Sequence, residues 1–133
     1  MTKTPAEIEL LAESGRLLAS VFAHLDGQPL AGLSTLQVND LVEAFIVDQL
    51  NARPASKGQY GYGFVLNSSR NEVVCHGVPS KDEVLQDGDI VNFDITLEKQ
   101  GYIADSSKTF LIGDVAPAAR RLVRTTYEAL WKG

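Results

Sequence analysis

The sequence predicts an α+β fold with helices packed on one face of a mainly antiparallel sheet. Three observations point there: two N-terminal stretches of helical periodicity, a central run of strand-like segments, and a third helical stretch after a Gly-Asp break. The 133 residues amount to one domain's worth of chain, and 44% hydrophobic with 22% charged residues is an ordinary globular composition. Residues 1–133 therefore read as a single α+β unit.

The first helix is announced by Thr4, Pro5 and Glu7, a Thr-x-x-Glu capping box with proline at the first helical position. Ile8, Leu11, Leu18, Phe22 and Leu25 then recur on one helical face, with Gly15 among them where a neighbour can approach closely. Asp26-Gly27-Gln28-Pro29 ends it. A second helix opens at Ser34 with Gln37 as its capping partner, buries Val38, Leu41, Val42, Phe45 and Ile46, and fades near Asn51. His24 reads as a half-exposed histidine near a helix end.

Beyond Pro54 the pattern changes. Gly58, Gly61 and Gly63 alternate with Gln59, Tyr60, Tyr62 and Phe64. No Lys-Ser/Thr and no helix start follow, so a phosphate loop is a poor fit; an aromatic turn bordering a pocket and a plain hairpin both fit. Val73-Val74-Cys75 is expected to be a short buried strand ending at His76-Gly77-Val78-Pro79. Two longer strands follow, Asp89 to Leu97 and Tyr102 to Ile112, joined by a turn at Glu98-Lys99-Gln100-Gly101. Pro117 opens a third helix carrying Leu122, Val123, Tyr127, Leu130 and Trp131.

A charge of −5 argues against general nucleic-acid binding, and Arg120, Arg121 and Arg124 read as a solvated helix face. No apolar run approaches the roughly 20 residues of a membrane span. Met1 to Glu9 does not have the pattern of a signal peptide, so the expected location is cytoplasmic. The one cysteine, Cys75, excludes an internal disulfide; its position suggests a buried apolar residue.

Asp94 and Asp105 each fall inside a predicted strand, where aspartate is disfavoured. A symmetric four-residue turn places them directly opposite on one face, with Cβ atoms about 5 Å apart. A slip of one residue would separate the faces. Three readings follow: a bound divalent metal, an acid/base dyad sharing one proton, or two solvated surface carboxylates. His76, at a predicted strand end, is either a satisfied structural residue or a donor to a substrate or tetrahedral intermediate.

Three strings carry more. Asn71-Glu72-Val73-Val74-Cys75-His76-Gly77-Val78-Pro79, Asp87 to Thr96, and Gly101 to Phe110 closely resemble the type I methionine aminopeptidases, in order and in spacing. The resemblance covers essentially the whole chain and implies the N-terminal half of a pita-bread fold, the first half of a two-lobed domain. It also implies that Asp94 and Asp105 are the first two ligands of a two-metal site using Co, Mn, Fe or Zn. His76 would be the catalytic histidine that contacts substrate, Thr96 a threonine beside the metals, and Tyr62 an aromatic of the methionine pocket. The implied reaction is metal-assisted removal of the N-terminal methionine from nascent proteins.

Ser56, Gln59 and Asn67 depart from the family pattern around that pocket. The family's remaining ligands, one histidine and two glutamates, belong to its second half. These 133 residues alone are therefore expected to bind metal weakly and to show no turnover. The implied partners are the N-terminal peptide of a nascent protein, the ribosome, and either the second half or another copy docked on an exposed sheet face. Two other functions fit the same strings: a prolidase or Xaa-Pro aminopeptidase, and a non-catalytic relative that binds a ribosome or nascent-chain partner.

Overall fold

The computed structural model describes residues 2–133. Helix α1 spans Pro5–Asp26, α2 Thr35–Ala44 and α3 Pro117–Leu130; α2 runs on into one π-helical turn, Phe45–Gln49. Strands β1 (Arg53–Pro54), β2 (Leu66–Arg70), β3 (Ile90–Lys99) and β4 (Tyr102–Leu111) form an antiparallel sheet among the described residues. Both capping boxes are formed: Thr4 with Glu7, and Ser34 with Gln37. They are local devices satisfying orphan N–H groups, which is why they read correctly from sequence.

Strand β3 organises the sheet. β4 lies along one of its edges, and β2 and β1 follow one another along the other. Its residues alternate without a break: Val91, Phe93, Ile95 and Leu97 are fully buried, and the residues between them are half-exposed. The buried set meets Leu18, Val21, Phe22 and Leu25 of α1, and Val38, Val42 and Ile46 of α2 and its π turn. Polar ties fix the helices on this core. Ser14 Oγ donates to the Tyr102 carbonyl at 2.8 Å, and Asn39 Oδ1 accepts from the Val65 N–H at 2.8 Å.

Several expectations are corrected. On α1, Ile8 is exposed and Ser14 and Val21 join the buried stripe, and Gly15 has no neighbouring atom within reach of a Cβ. Phe93, Ile95 and Phe110 lie buried on the helix side of the sheet, and the face away from the helices is mostly polar, with Ile103 exposed on it. α3 also carries open apolar surface. Leu122, Tyr127, Leu130 and Trp131 are exposed, and α3 borders a groove of about 1280 Å³ with α1 and β4.

The stretch Val73-Val74-Cys75 is not a buried strand. It is irregular, Val74 is 93% exposed, and Cys75 is exposed. Both edges of β3 are already occupied, so this apolar run has no central position to take; it passes outside β2. His24 is half-buried and stacks on Phe45, with ring centroids 4.2 Å apart.

Candidate metal and substrate site

The β3–β4 hairpin closes through two residues, not four. Gln100 and Gly101 both have positive φ, 53° and 82°, as a tight primed hairpin turn requires. Lys99 pairs with Tyr102, which shifts the register by two residues from the symmetric four-residue expectation. Asp94 therefore faces Ser107, and Asp105 faces Thr96. A shift of two preserves the face, so the aspartates still share the polar side of the sheet as diagonal neighbours. Such diagonals are about 7 Å apart at Cβ, within reach of long or paired side chains.

The electrostatics follow from that placement. Burial, then the nearby charge of Asp105, push the Asp94 carboxyl above the usual carboxylate range. Asn67, its direct neighbour on β2, opposes the shift by hydrogen bonding, and the charge of His76 opposes it from a greater distance. Thr96 Oγ1 donates to Asp105 Oδ1 at 3.1 Å, which holds that carboxylate in place. Two hard oxygen donors on one face, one of them pushed toward protonation by the other's charge, suit a divalent cation, since a cation replaces repulsion with coordination. Among the described residues no third histidine, cysteine or carboxylate joins them as a ligand cluster. His76 stands outside the carboxylate pair, within electrostatic range of Asp94.

His76 is presented under constraint. Its φ is 55°, a left-handed conformation uncommon for a residue with a side chain. Gly77 explains why it stays there. The Ser68 N–H donates to the Gly77 carbonyl at 2.8 Å, and the Gly77 N–H donates to Ser69 Oγ at 3.2 Å. A Cβ on Gly77 would overlap the Ser68 carbonyl oxygen, so only glycine lets this backbone lie against β2.

The flanks of the segment are tied as well. The Ser80 N–H donates to Thr35 Oγ1 at 2.9 Å. At the other end, Arg70 donates twice to Asp89, at 2.6 and 3.1 Å, Asn71 Nδ2 donates at 2.8 Å, and the Gln86 N–H adds a fourth bond at 2.8 Å. Burial alone would raise the Asp89 carboxyl, but these donors outweigh it and hold Asp89 below its usual range.

Tyr62 also reaches the site. Burial and then the Asp94 charge raise its phenol, so the two groups are within electrostatic range of each other. Its hydroxyl donates to the Leu66 carbonyl at 2.8 Å, and its ring meets Phe64 edge-on. The Gly58–Gly63 stretch is an aromatic turn with left-handed backbone at Gly58, Tyr60 and Gly61. Ser56 and Gln59 are used internally: Ser56 Oγ donates to the Val65 carbonyl and Gln59 Nε2 to the Ala55 carbonyl. They pin the turn rather than present free polar groups.

The sequence profile of metallopeptidase family M24 matches residues 9–133. The chain belongs to this family. A methionine aminopeptidase of Escherichia coli K12 is 40% identical over 129 residues, covering 97% of this chain and 49% of the relative. The crystal structure of a methionine aminopeptidase from Rickettsia prowazekii superposes on 99% of this M24 chain with a TM-score of 0.94 and 34% identity, covering 52% of that chain. An X-Pro aminopeptidase from Thermotoga maritima aligns with a TM-score of 0.75 at 20% identity, a likeness of fold alone.

The chain spans about half the length of the curated relatives it matches. Its three helices and antiparallel sheet are the pita-bread architecture of these M24 neighbours, consistent with their N-terminal half. Identity favours the methionine aminopeptidases over the X-Pro enzymes. As M24 membership implies a metallopeptidase, the family and the carboxylate pair agree on a divalent metal. No described helix is long and apolar enough to cross a membrane.

Proposed function

We propose that residues 1–133 form the first half of a two-lobed aminopeptidase that removes N-terminal methionine from nascent polypeptides. In this reading Asp94 and Asp105 ligate the metal, and His76 and Tyr62 meet the substrate. The observation that carries it is the shared sheet face of the two aspartates, with His76 held in a strained backbone beside them. When bound, divalent metal supplies Lewis-acid polarisation of the scissile carbonyl and a lowered pKa for water. His76, outside the ligand pair, donates a hydrogen bond to the carbonyl oxygen as negative charge develops there. Tyr62 and Phe64 border the substrate with ring surface, and the Tyr62 hydroxyl, bonded to Leu66, keeps the ring in place.

Two carboxylates are fewer donors than a protein-built metal site uses, so turnover needs the complete polypeptide. Two metal ions, substrates taken as they emerge from the ribosome, and a cytoplasmic place of action belong to the same proposal.

The test uses the complete polypeptide, Mn²⁺ titration calorimetry and hydrolysis of a Met-Ala peptide. Asp94→Asn and Asp105→Asn are each expected to lose metal binding and activity together. His76→Ala is expected to keep its metal and lose about 10²–10³-fold in kcat. Normal Mn²⁺ binding in both aspartate variants, or loss of metal in His76→Ala, overturns the assignment.

A further inference from the structure

Helix α3 rests on little of its own chain. None of its residues is buried, and Ala116 gives its N-terminus no side-chain cap. Leu122, Tyr127 and Leu130 border the groove shared with α1 and β4 yet stay exposed. The direction of the helix is therefore set upstream, in the link from Ile112 to Val115. Ile112 and Val115 are buried and anchor the two ends of that link. Between them Gly113 is left-handed, with φ 63°. The Asp114 N–H donates to Asp87 Oδ1 at 2.8 Å. Gly113 lies so close to Asp87 that a Cβ would stand 1.7 Å from the same oxygen.

The base from which Asp87 reaches is itself held on both flanks. Leu85 is buried and bonded to the α1–α2 connection. The Gly32 N–H donates to its carbonyl at 2.8 Å, and its own N–H donates to the Leu33 carbonyl at 2.9 Å. On the other flank the Gly88 N–H donates to the Ile112 carbonyl at 2.8 Å, and the Ile112 N–H to the Asp89 carbonyl at 2.9 Å. We infer that Asp87 is a latch: its carboxylate, seated against Gly113, fixes the direction in which α3 leaves the sheet. Buried apolar anchors hold without direction, so Ile112 and Val115 leave the link free to turn about the line joining them. A hydrogen bond is directional, and the bond to Asp114 removes that freedom. Glycine at 113 lets the carboxylate approach. The inference is independent of the metal assignment. Under the proposed two-lobed function, the same joint aims whatever follows α3.

The test places spin labels on α1 and α3 of the 133-residue chain, at Ala12→Cys and Thr125→Cys with Cys75→Ser. Both labelled positions are exposed. Double electron–electron resonance then reads the distance distribution, which is expected to be single and narrow with Asp87 in place. Asp87→Ala is expected to broaden it and to speed exchange of the Asp114 amide about 5–10-fold. The ladder amides of β3 and β4 are expected to keep their protection. Asp87→Asn retains an acceptor oxygen and is expected to stay narrow. Gly113→Ala, whose methyl displaces the carboxylate, is expected to broaden the distribution as Asp87→Ala does. A broad distribution in the wild type, or a narrow one in Asp87→Ala or Gly113→Ala, overturns the latch. So does a broad one in Asp87→Asn, which assigns the effect to charge. General loss of β3 and β4 protection in Asp87→Ala overturns it as well, since Asp87 then supports the core.

Discussion

The two faces of strand β3 do different work. Toward the helices, Val91, Phe93, Ile95 and Leu97 are sealed from water. On the other side, Asn92, Asp94 and Thr96 stay half-exposed among Ser107, Asp105 and Asn67. The first face is interchangeable hydrocarbon whose task is volume and burial. The second is a set of polar atoms whose task is direction. Changes on the first face should therefore be felt as lost stability, and changes on the second as lost chemistry in a protein that still folds.

The sharpest way to break that division is at adjacent positions. Phe93→Ala opens a cavity in the core and is expected to cost about 3–5 kcal/mol by urea denaturation. Next in size comes Asp89→Ala, which leaves Arg70, Asn71 and the Gln86 N–H without their acceptor and is expected to cost about 3 kcal/mol at pH 7. Because the folded Asp89 carboxyl lies below its unfolded value, its contribution is present above that value, about 3.9. It is lost as pH falls through the lower folded value, so wild type and variant converge in acid.

Gly77→Ala sharpens the comparison by testing whether backbone packing serves the polar face. It is expected to cost about 1–3 kcal/mol and, by displacing His76, to lower kcat more than it lowers metal affinity. The smallest stability effect is Asp94→Asn, whose sign is opposite. The folded carboxyl lies above its unfolded value, so its penalty is absent in acid and grows as pH rises through the folded value. Without metal, the variant is expected to be more stable than wild type by about 0.2–1 kcal/mol at neutral pH, with no difference near pH 3. Thermal melts at both pH values measure it.

What the sequence disclosed divides along the same line. The capping boxes, the α1 and α2 stripes and the alternation of β3 are local patterns, and local patterns survive in one dimension. The shared face of Asp94 and Asp105 was legible because it depends only on parity. Their pairing was misjudged by two residues because Gln100 was not read as a left-handed turn residue, although Gln-Gly fits a primed turn. Val73-Val74-Cys75 misled because apolar character signals burial only where a neighbour is available, and the neighbouring edges were already occupied. The close packing of Gly77 on β2 depends on which strand passes beside which, information spread over tens of residues.

The two-residue turn at Gln100-Gly101 also sets an order of events. Asp94 and Asp105 are 11 positions apart along one hairpin, so their meeting requires no distant part of the chain. Isolated hairpins close in about 1–10 μs, far ahead of the slower docking of non-local elements. The carboxylates therefore confront each other early in folding, before β2 can bring Asn67 and His76 alongside. If the pair holds a divalent cation as proposed, Mn²⁺ present at that moment is expected to relieve the repulsion and speed refolding as well as stabilise the finished fold, which stopped-flow refolding with and without Mn²⁺ measures.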